Sequence, residues 1–507
     1  MPDAPVTTRN EAGTRRRRAS LRGFPIPLAL IVLAAALQSL AWNLAVPPFQ
    51  GPDETEHFAY IQYLAETGNM PNPVSGGATV SSEVETTLKE LNLAPLVGNL
   101  TARPAWTTAD LALWRSVDRR LPPGSRANGS GPNHVAQNPP LYYALMAAAY
   151  RAVDGMSLLT RVFVLRLLNG MCFLATIALT WLLAGELFGR VRWKQTLAAG
   201  VVAVQPQLAF MSSVINPDNL LVTLTTGFLL AAVRLVKHGP SLSRVLTTSG
   251  LSAAAIITHG RGLVTVPVLC AALALSYVRH RPALTDMFVR TAAALATVVV
   301  PFAVYLAFGR STGSSGSSSL YGGQVSQLNT GSFRVGQFLS QIYQFYFPRI
   351  LSMPAMIGPP YGYRQVFIET FYGTFGSLEV RFAPQIYDTL QWLSGLGLAA
   401  FLTACIVRWR TLKRAWPTVV VMLSLLFTTM FFLHYVSYRA LIADAGSDPL
   451  IVGRYLLPMI SLFAAAITFT VGSLPQRIGA PIGALILATE ILLALAGIGM
   501  TAARFYA

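Results

Sequence analysis

Four side chains suited to acid–base chemistry follow directly after the first long apolar run of the sequence. They are Asp53, Glu54, Glu56 and His57. Acids are scarce, with 21 Asp and Glu among 507 residues, so three acids in four positions form an unusual concentration. If a helix begins after Pro52, Asp53 and His57 share one face at i and i+4. A carboxylate beside an imidazole can deprotonate a hydroxyl. The alternative interpretation is a solvated helix start with Asp53 as its N-cap.

A second set of polar residues lies between later apolar runs, on the same side of the membrane as Asp53 if the runs alternate in direction. The set comprises His134, Asp218, His259, Arg261, Glu369, Arg454 and Tyr455. Arginine forks hold phosphate and a carboxylate can accept a proton, so the set suits a substrate with a lipid tail and a phosphate head. Structural alternatives stay open: Asp218 as an N-cap, His259 to Arg261 as a simple helix connection, and Arg454 as an interface anchor.

Metal binding is a further hypothesis for the same residues. Asp53 and Asp218, with the acids and the histidine beside Asp53, offer the hard ligands that Mg²⁺ or Mn²⁺ prefers, although no spacing here is diagnostic of a metal. No GxxxxGK[ST] motif occurs, and no GxGxxG follows a strand pattern, so no nucleotide-binding element is predicted.

The apolar runs that must position these residues define the class of protein. Hydrophobic residues make up 53% of the chain and charged residues 12%, and the mean hydropathy is +0.50. Apolar runs long enough to cross the roughly 30 Å hydrocarbon layer recur along the chain. We therefore expect an all-α polytopic membrane protein with about 11–12 transmembrane helices. Whether residues 139–155 also span, re-enter or lie at the surface is open.

The charge pattern predicts the topology. The net charge of +17 falls mostly in short loops and in an N-terminal arginine run, which the positive-inside rule explains without nucleic acid. Residues 1–23 are expected to form a disordered basic cytoplasmic tail. Residues 24–475 should form the transmembrane domain, with a large extracytoplasmic loop at 47–138 and an extracytoplasmic or interfacial segment at 309–385. Residues 476–507 are predicted to be a C-terminal transmembrane helix.

Four segments carry a resemblance to a known family: PDETEHF at 52–58, NPPLYY at 138–143, NPD at 216–218 and GRYLLP at 453–458. Together they resemble the DUF2142 group of bacterial membrane proteins, which is similar to the GT-C glycosyltransferases. Those include the protein O-mannosyltransferases and the aminoarabinose transferase of lipid A. The resemblance spans about residues 24 to 475 and implies a GT-C-like helical bundle.

The resemblance also implies roles for individual residues. In GT-C enzymes the acid after the first span acts as catalytic base or binds metal, which implies Asp53 as base with Glu54 assisting. The donor implied is a polyprenyl-phosphate-linked sugar. Many relatives carry a lysine where this chain has Thr258 to Arg261, so the phosphate contact would shift to His259 or Arg261.

The resulting hypothesis is a plasma-membrane glycosyltransferase, hexosyl- or pentosyl-transferring, with its N-terminus cytoplasmic and its active site extracytoplasmic. Its partners would be the lipid bilayer, the polyprenyl-phosphate-linked sugar and an envelope glycan, lipid or protein acceptor, with no nucleic acid. One alternative is a transporter or flippase of lipid-linked glycans, which would need mid-bilayer charges such as Glu490 and repeat symmetry. Another is a non-catalytic assembly protein.

Overall fold

The computed structural model describes residues 25–71, 78–129, 131, 133–311, 333–357, 362–443 and 451–507. The predicted basic tail 1–23 and, within the predicted segment 309–385, residues 312–332 and 358–361 lie outside these residues. The first twelve helices are α1 Ile26–Ala45, α2 Glu54–Thr67, α3 Ser82–Glu90, α4 Thr108–Asp118, α5 Leu141–Ala152, α6 Leu158–Phe188, α7 Arg192–Val204, α8 Pro206–Met211, α9 Asp218–His238, α10 Leu242–Ile256, α11 Thr265–His280 and α12 Leu284–Ser311.

The second part of the chain is also helical, with one small hairpin. Its helices are α13 Val335–Tyr346, α14 Thr370–Tyr372, α15 Pro384–Val407, α16 Trp409–Arg414, α17 Trp416–Ala443, α18 Ile460–Val471 and α19 Gln476–Tyr506. Strands β1 Thr374–Phe375 and β2 Val380–Arg381 pair antiparallel, with Thr374 opposite Arg381. Short 3-10 helices occupy Ala94–Leu96, His134–Gln137, Gly260–Val264 and Gly453–Met459, and a π-helical turn occupies Arg364–Glu369.

Nine helical segments within the described ranges are long and apolar enough to cross a bilayer. The prediction of an all-α polytopic membrane protein is therefore confirmed. Two of the apolar runs counted among the predicted spans, at 195–211 and 245–258, differ from expectation. The first is broken into α7 and α8 at Gln205, whose extended backbone is what a following proline favours. The second forms the 15-residue helix α10, which is shorter than a bilayer requires.

The length of α5 bears on the question whether residues 139–155 cross the membrane. Its 12 residues rise about 18 Å at 1.5 Å per residue, well short of the hydrocarbon thickness. The helix instead packs on α2, where the rings of Tyr60 and Tyr143 stack with centroids 3.7 Å apart. Phe58 also meets Tyr150 edge-on. Because aromatic pairs of this kind contribute beyond their buried area, α2 and α5 form one layer over the membrane helices.

Residues 47–138, here called loop 1, are held to the bundle by a buried polar network. Glu83, which lies in the first turn of α3, accepts hydrogen bonds from Arg161 of α6 and from Gln62 of α2. Gln62 in turn accepts a hydrogen bond of 2.6 Å from Ser81, the N-cap residue of α3. Separating a buried ion pair is strongly destabilising, because it leaves an uncompensated charge in the interior. This network therefore fixes how loop 1 sits on the membrane helices. We call the end of the bundle that carries this network the loop-1 end, and the other end of the bundle the opposite end.

Candidate functional site

The site begins with the turn that joins α1 to α2. Helix α1 ends at Ala45, shortly before Pro47, and α2 starts at Glu54. Asp53 is left in the left-handed region with φ of 56°, which is uncommon for a residue other than glycine. Asp53 occupies the N-cap position of α2, as the structural alternative expects, but its side chain makes no capping hydrogen bond and is left for other contacts. Such strain costs about 1–3 kcal/mol and persists where the surroundings hold it in place.

A buried ion pair supplies that support. Glu54 is fully buried, and Arg166 of α6 donates two hydrogen bonds to its carboxylate, at 2.7 and 2.6 Å. The carboxylate of Glu54 also accepts from the backbone N–H of Ile215 at 3.1 Å and of Gly51 at 3.3 Å. The same guanidinium donates to the carbonyls of Val46 and Pro47 at 2.7 and 2.9 Å. The contacts of Glu54 therefore favour a role in positioning the turn over the predicted assistance in proton transfer.

The carboxylate of Asp53 reaches a second arginine from the other half of the chain. Its Oδ2 lies 3.4 Å from Nη2 of Arg454, which is 401 residues away in sequence. The Asp53 side chain is 41% exposed, whereas that of Arg454 is 8% exposed. The carboxylate is thus accessible to a substrate while its guanidinium partner is rigidly enclosed.

A second carboxylate–guanidinium pair lies beside the first. Asp218 is the first residue of α9, where its backbone N–H donates to Oδ1 of Asn216 at 2.9 Å. Its carboxylate forms an ion pair with Arg261. A negative charge at a helix N-terminus is favourable, and the arginine adds to that effect. Arg454, His259 and His57 also lie close enough to Asp218 to act on its charge.

The two arginines converge on one aromatic ring. The guanidinium of Arg261 lies 4.5 Å from the ring centroid of Tyr455, and that of Arg454 lies 5.4 Å from it. Nη1 of Arg261 and both Nε and Nη1 of Arg454 are buried and find no hydrogen-bond partner within the residues described. Unsatisfied buried guanidinium groups are costly, so their donors point to a ligand with several acceptor oxygens.

Two histidines border this pair of arginines. Nδ1 of His259 accepts a hydrogen bond of 3.1 Å from the backbone N–H of Arg261, so it caps the 3-10 helix that begins at Gly260. Burial and the Arg261 charge lower the pKa of His259 to about 3, so it is neutral at physiological pH. Nδ1 of His57 is hydrogen-bonded at 2.9 Å to the hydroxyl of Tyr143, which also accepts from Asn138.

Two predicted site residues, Glu369 and His134, remain. Glu369 pairs with Arg364 and Arg381 at 3.3 and 3.5 Å, on the segment before the hairpin, so its charge is committed there. The side chain of His134 lies outside the described residues. For the metal hypothesis, the part of the chain that the structure describes holds no group of three or more His, Cys, Asp or Glu side chains arranged to bind an ion.

Three residues of the site were missed in the sequence. Arg166 lies in an apolar run, and an ionisable residue in a membrane span is itself a signal of a functional site. Asn169, one turn further along α6, donates to the carbonyl of Val214 at 2.9 Å and so holds the segment before Asp218. Tyr143 was part of a quoted motif, but only the fold brings its hydroxyl to His57.

The fold and site together define a polytopic helical membrane protein with a carboxylate–arginine site at the end of the bundle that carries loop 1. The chain belongs to the family described as "Predicted membrane protein (DUF2142)", whose family model matches residues 37–463. The predicted family is thereby confirmed. A search of the curated proteins finds no match.

Several solved structures match most of the chain at low identity. The oligosaccharyltransferase of Archaeoglobus fulgidus is 13% identical, with a TM-score of 0.45, and the match covers 94% of this chain and 56% of that one. ArnT from Cupriavidus metallidurans bound to undecaprenyl phosphate is 13% identical, with a TM-score of 0.43 and coverage of 94% and 72%. The S. cerevisiae protein O-mannosyltransferase Pmt1–Pmt2 complex bound to the sugar donor is 16% identical, with a TM-score of 0.36 and coverage of 69% and 40%. The chain thus spans little more than half the length of the first of these.

Proposed function

We propose that this protein is a membrane glycosyltransferase that moves a sugar from a polyprenyl-phosphate-linked donor to a cell-envelope acceptor. The observation that carries the proposal is the meeting of an accessible carboxylate, Asp53, with the unpartnered buried donors of Arg261 and Arg454. Arginine forks match the oxygens of a phosphate, and the carboxylate beside them can accept a proton.

The reaction follows from these positions. The carboxylate of Asp53 takes the proton of the acceptor hydroxyl, whose oxygen attacks the anomeric carbon of the donor sugar. The bond between that carbon and the phosphate oxygen breaks, and the polyprenyl phosphate leaves with the electron pair. Arg261 and Arg454 stabilise the charge that develops on the leaving phosphate. Attack opposite the leaving group inverts the anomeric configuration.

The orientation of the site is part of the proposal. Basic residues cluster at the opposite end of the bundle, among them Arg190, Arg192, Lys237, Arg279 and Arg408. The positive-inside rule then supports a cytoplasmic opposite end and an extracytoplasmic loop-1 end. A lipid-phosphate-linked donor suits that side, because it needs no soluble nucleotide pool.

The decisive variant is Asp53→Asn. In liposomes containing the full chain and a panel of labelled polyprenyl-phosphate sugars, wild type should release polyprenyl phosphate as it transfers the sugar. Loss of a general base should lower the transfer rate at least about 100-fold. The variant should still bind undecaprenyl phosphate, because its two arginines remain. Undiminished transfer by Asp53→Asn would contradict the proposal.

One control and one further variant separate proton transfer from phosphate binding. Glu85→Gln removes an exposed acid elsewhere in loop 1 and should leave transfer unchanged. Arg454→Gln should weaken binding of undecaprenyl phosphate about tenfold or more, since it removes a charge-assisted contact. Passage of the labelled lipid to the other leaflet without release of polyprenyl phosphate would instead favour a flippase.

A further inference from the structure

A cavity lined by several charged side chains lies at the opposite end of the bundle, far along the helices from Asp53. Its volume is about 290 Å³, and it is an open cavity bordered by the end of α6, the start of α7 and the last turns of α9. Arg190, Arg192 and Arg234 line it together with Glu186, Gln195 and Trp181. In the function proposed above, arginines of this end bear only on the orientation of the protein, and none of these residues takes part in substrate binding or transfer.

The cavity carries uncompensated positive charge. The carboxylate of Glu186 is already shared by Arg234 at 2.9 Å, Lys237 at 3.5 Å and His238 at 3.1 Å. In the described part of the chain, neither Arg190 nor Arg192 pairs with a carboxylate. Helix α7 also begins here without an acidic residue in its first turn and without a side-chain cap, so its N-terminal dipole adds to the attraction for an anion.

A buried amide provides an independent sign of a ligand. Gln195 is 4% exposed, and its Nε2 donates to the carbonyl of Trp181 at 3.1 Å. Because a carbonyl can only accept a hydrogen bond, this contact identifies the donating atom of the amide as Nε2. The other atom of the amide is then the acceptor oxygen Oε1. That oxygen is buried and has no partner among the described residues. It therefore calls for a donor, such as a hydroxyl, from whatever occupies the cavity.

The backbone is shaped to bring these groups together. Gly189 and Arg190 both have positive φ, 75° and 60°, so the chain turns sharply after α6 and Arg190 folds back over that helix. A Cβ added at Gly185 would lie 2.8 Å from Nε2 of Gln195 and 3.7 Å from Cγ of Arg190. The absence of a side chain at Gly185 thus lets both residues close over the end of α6.

Exposed apolar side chains accompany the charged ones. Leu182, which lines the cavity, is 45% exposed, and Val191, between Arg190 and Arg192 in the sequence, is 39% exposed. In a bilayer such side chains face acyl chains, while arginines at the membrane surface face headgroups. A ligand here would have an apolar tail, a phosphate and a donor group beyond the phosphate.

We propose that this cavity binds an anionic phospholipid with a hydroxyl-bearing headgroup, of which phosphatidylglycerol is the probe. Arg190 and Arg192 hold the phosphate, and Oε1 of Gln195 accepts from a headgroup hydroxyl. The positive-inside rule alone accounts for basic residues at a cytoplasmic end. It does not require a cavity between the helix ends or an unpaired buried amide oxygen beside them.

The test measures lipid binding to the full chain in detergent micelles by native mass spectrometry. Wild type should bind phosphatidylglycerol about tenfold more tightly than phosphatidylcholine. The double variant Arg190→Gln/Arg192→Gln should lose most of that preference. The matched control Arg410→Gln/Arg414→Gln removes two exposed arginines at the same end but outside the cavity, and should change affinity less than about threefold. Equal losses in the two double variants would overturn the proposal.

Gln195→Met tests the headgroup contact. Wild type should prefer phosphatidylglycerol over phosphatidic acid, which keeps the phosphate and the glycerol backbone but lacks the headgroup glycerol, and the variant should lose that preference. An unchanged preference in the variant would overturn the assignment of Oε1. Displacement of phosphatidylglycerol by inorganic phosphate at equal concentration would assign the site to a free anion and overturn the lipid. None of these outcomes depends on transferase activity.

Discussion

Asp53 and Glu54 are adjacent in the sequence, yet their carboxylates have different surroundings and different partners. Asp53 is accessible and reaches Arg454, whereas Glu54 is fully buried against Arg166. The left-handed backbone at Asp53 turns one side chain outward and the next inward. Strained residues held by well-bonded neighbours are typical of functional sites, where the geometry must be fixed before the ligand arrives.

At the residue scale, the clearest prediction concerns the buried pair. Glu54→Gln should lower the free energy of unfolding by about 3–5 kcal/mol, because it leaves the charge of Arg166 uncompensated in the interior. The double variant Glu54→Gln/Arg166→Met should be less destabilised than Glu54→Gln alone. Both can be measured by denaturant unfolding in mixed micelles.

An exposed pair provides the control for that measurement. Asp286 and Arg290 form an i to i+4 ion pair at 2.8 Å, with the aspartate side chain 54% exposed. Asp286→Asn should change the unfolding free energy by less than about 1 kcal/mol. A Glu54→Gln effect as small as that of Asp286→Asn would show that Glu54 is not the anchor of the turn.

At the element scale, the site depends on how closely the turn before α2 approaches the segment before α9. A Cβ at Gly51 would lie 2.3 Å from Cγ1 of Val214, so only glycine permits this packing. The carbonyl of Val214 is in turn fixed by Asn169. This close approach, together with the hydrogen bond from the backbone of Ile215 to Glu54, positions the turn that carries Asp53 against the loop that leads to Asp218.

Gly51→Ala should consequently displace the turn. We expect destabilisation of about 1–3 kcal/mol from overpacking, together with weaker donor binding. Gly51→Ala/Val214→Ala should recover part of both, since it frees the space. Gly155→Ala, where a Cβ meets no atom within 4 Å, is the control and should be nearly neutral. No recovery in the double variant would indicate that the clash does not cause the loss.

At the scale of the whole molecule, the C-terminal helix α19 contacts loop 1 and the β-hairpin. Arg504, near the end of α19, donates to the carbonyls of Ala102 and Asn99 at 2.9 Å each and pairs with Glu379 at 3.3 Å. Burial raises the pKa of Glu379, and the neighbouring Arg504 opposes that rise. Gln50, at the start of the Asp53 turn, donates to the carbonyl of Leu93 in the same loop.

Arg504→Ala should therefore release part of loop 1. Hydrogen exchange in residues 94–103 should become about tenfold faster or more, because charge-assisted hydrogen bonds contribute about 1.5–3 kcal/mol in favourable settings. Arg477→Ala, an exposed arginine at the other end of the same helix, should leave that exchange unchanged. Equal exchange in the two variants would indicate that the C-terminal helix does not hold the loop.

The sequence alone determined the class of this protein and several of its site residues. Apolar runs of bilayer length specify membrane helices because a spanning segment must satisfy its backbone polar groups within itself, and that is a local property. The acids after the first run and the GRY segment were visible for the same reason, as polar residues at the ends of such runs.

Only the tertiary structure decided what each polar residue does. Asp53 and Arg454 are 401 positions apart, and no periodicity links them. The division of labour between Asp53 and Glu54 depends on Arg166, whose partner is chosen by the packing of α6 against α1. Long-range charge pairing follows from which helices meet, and that is set by side-chain packing over the whole bundle, which local sequence patterns do not encode.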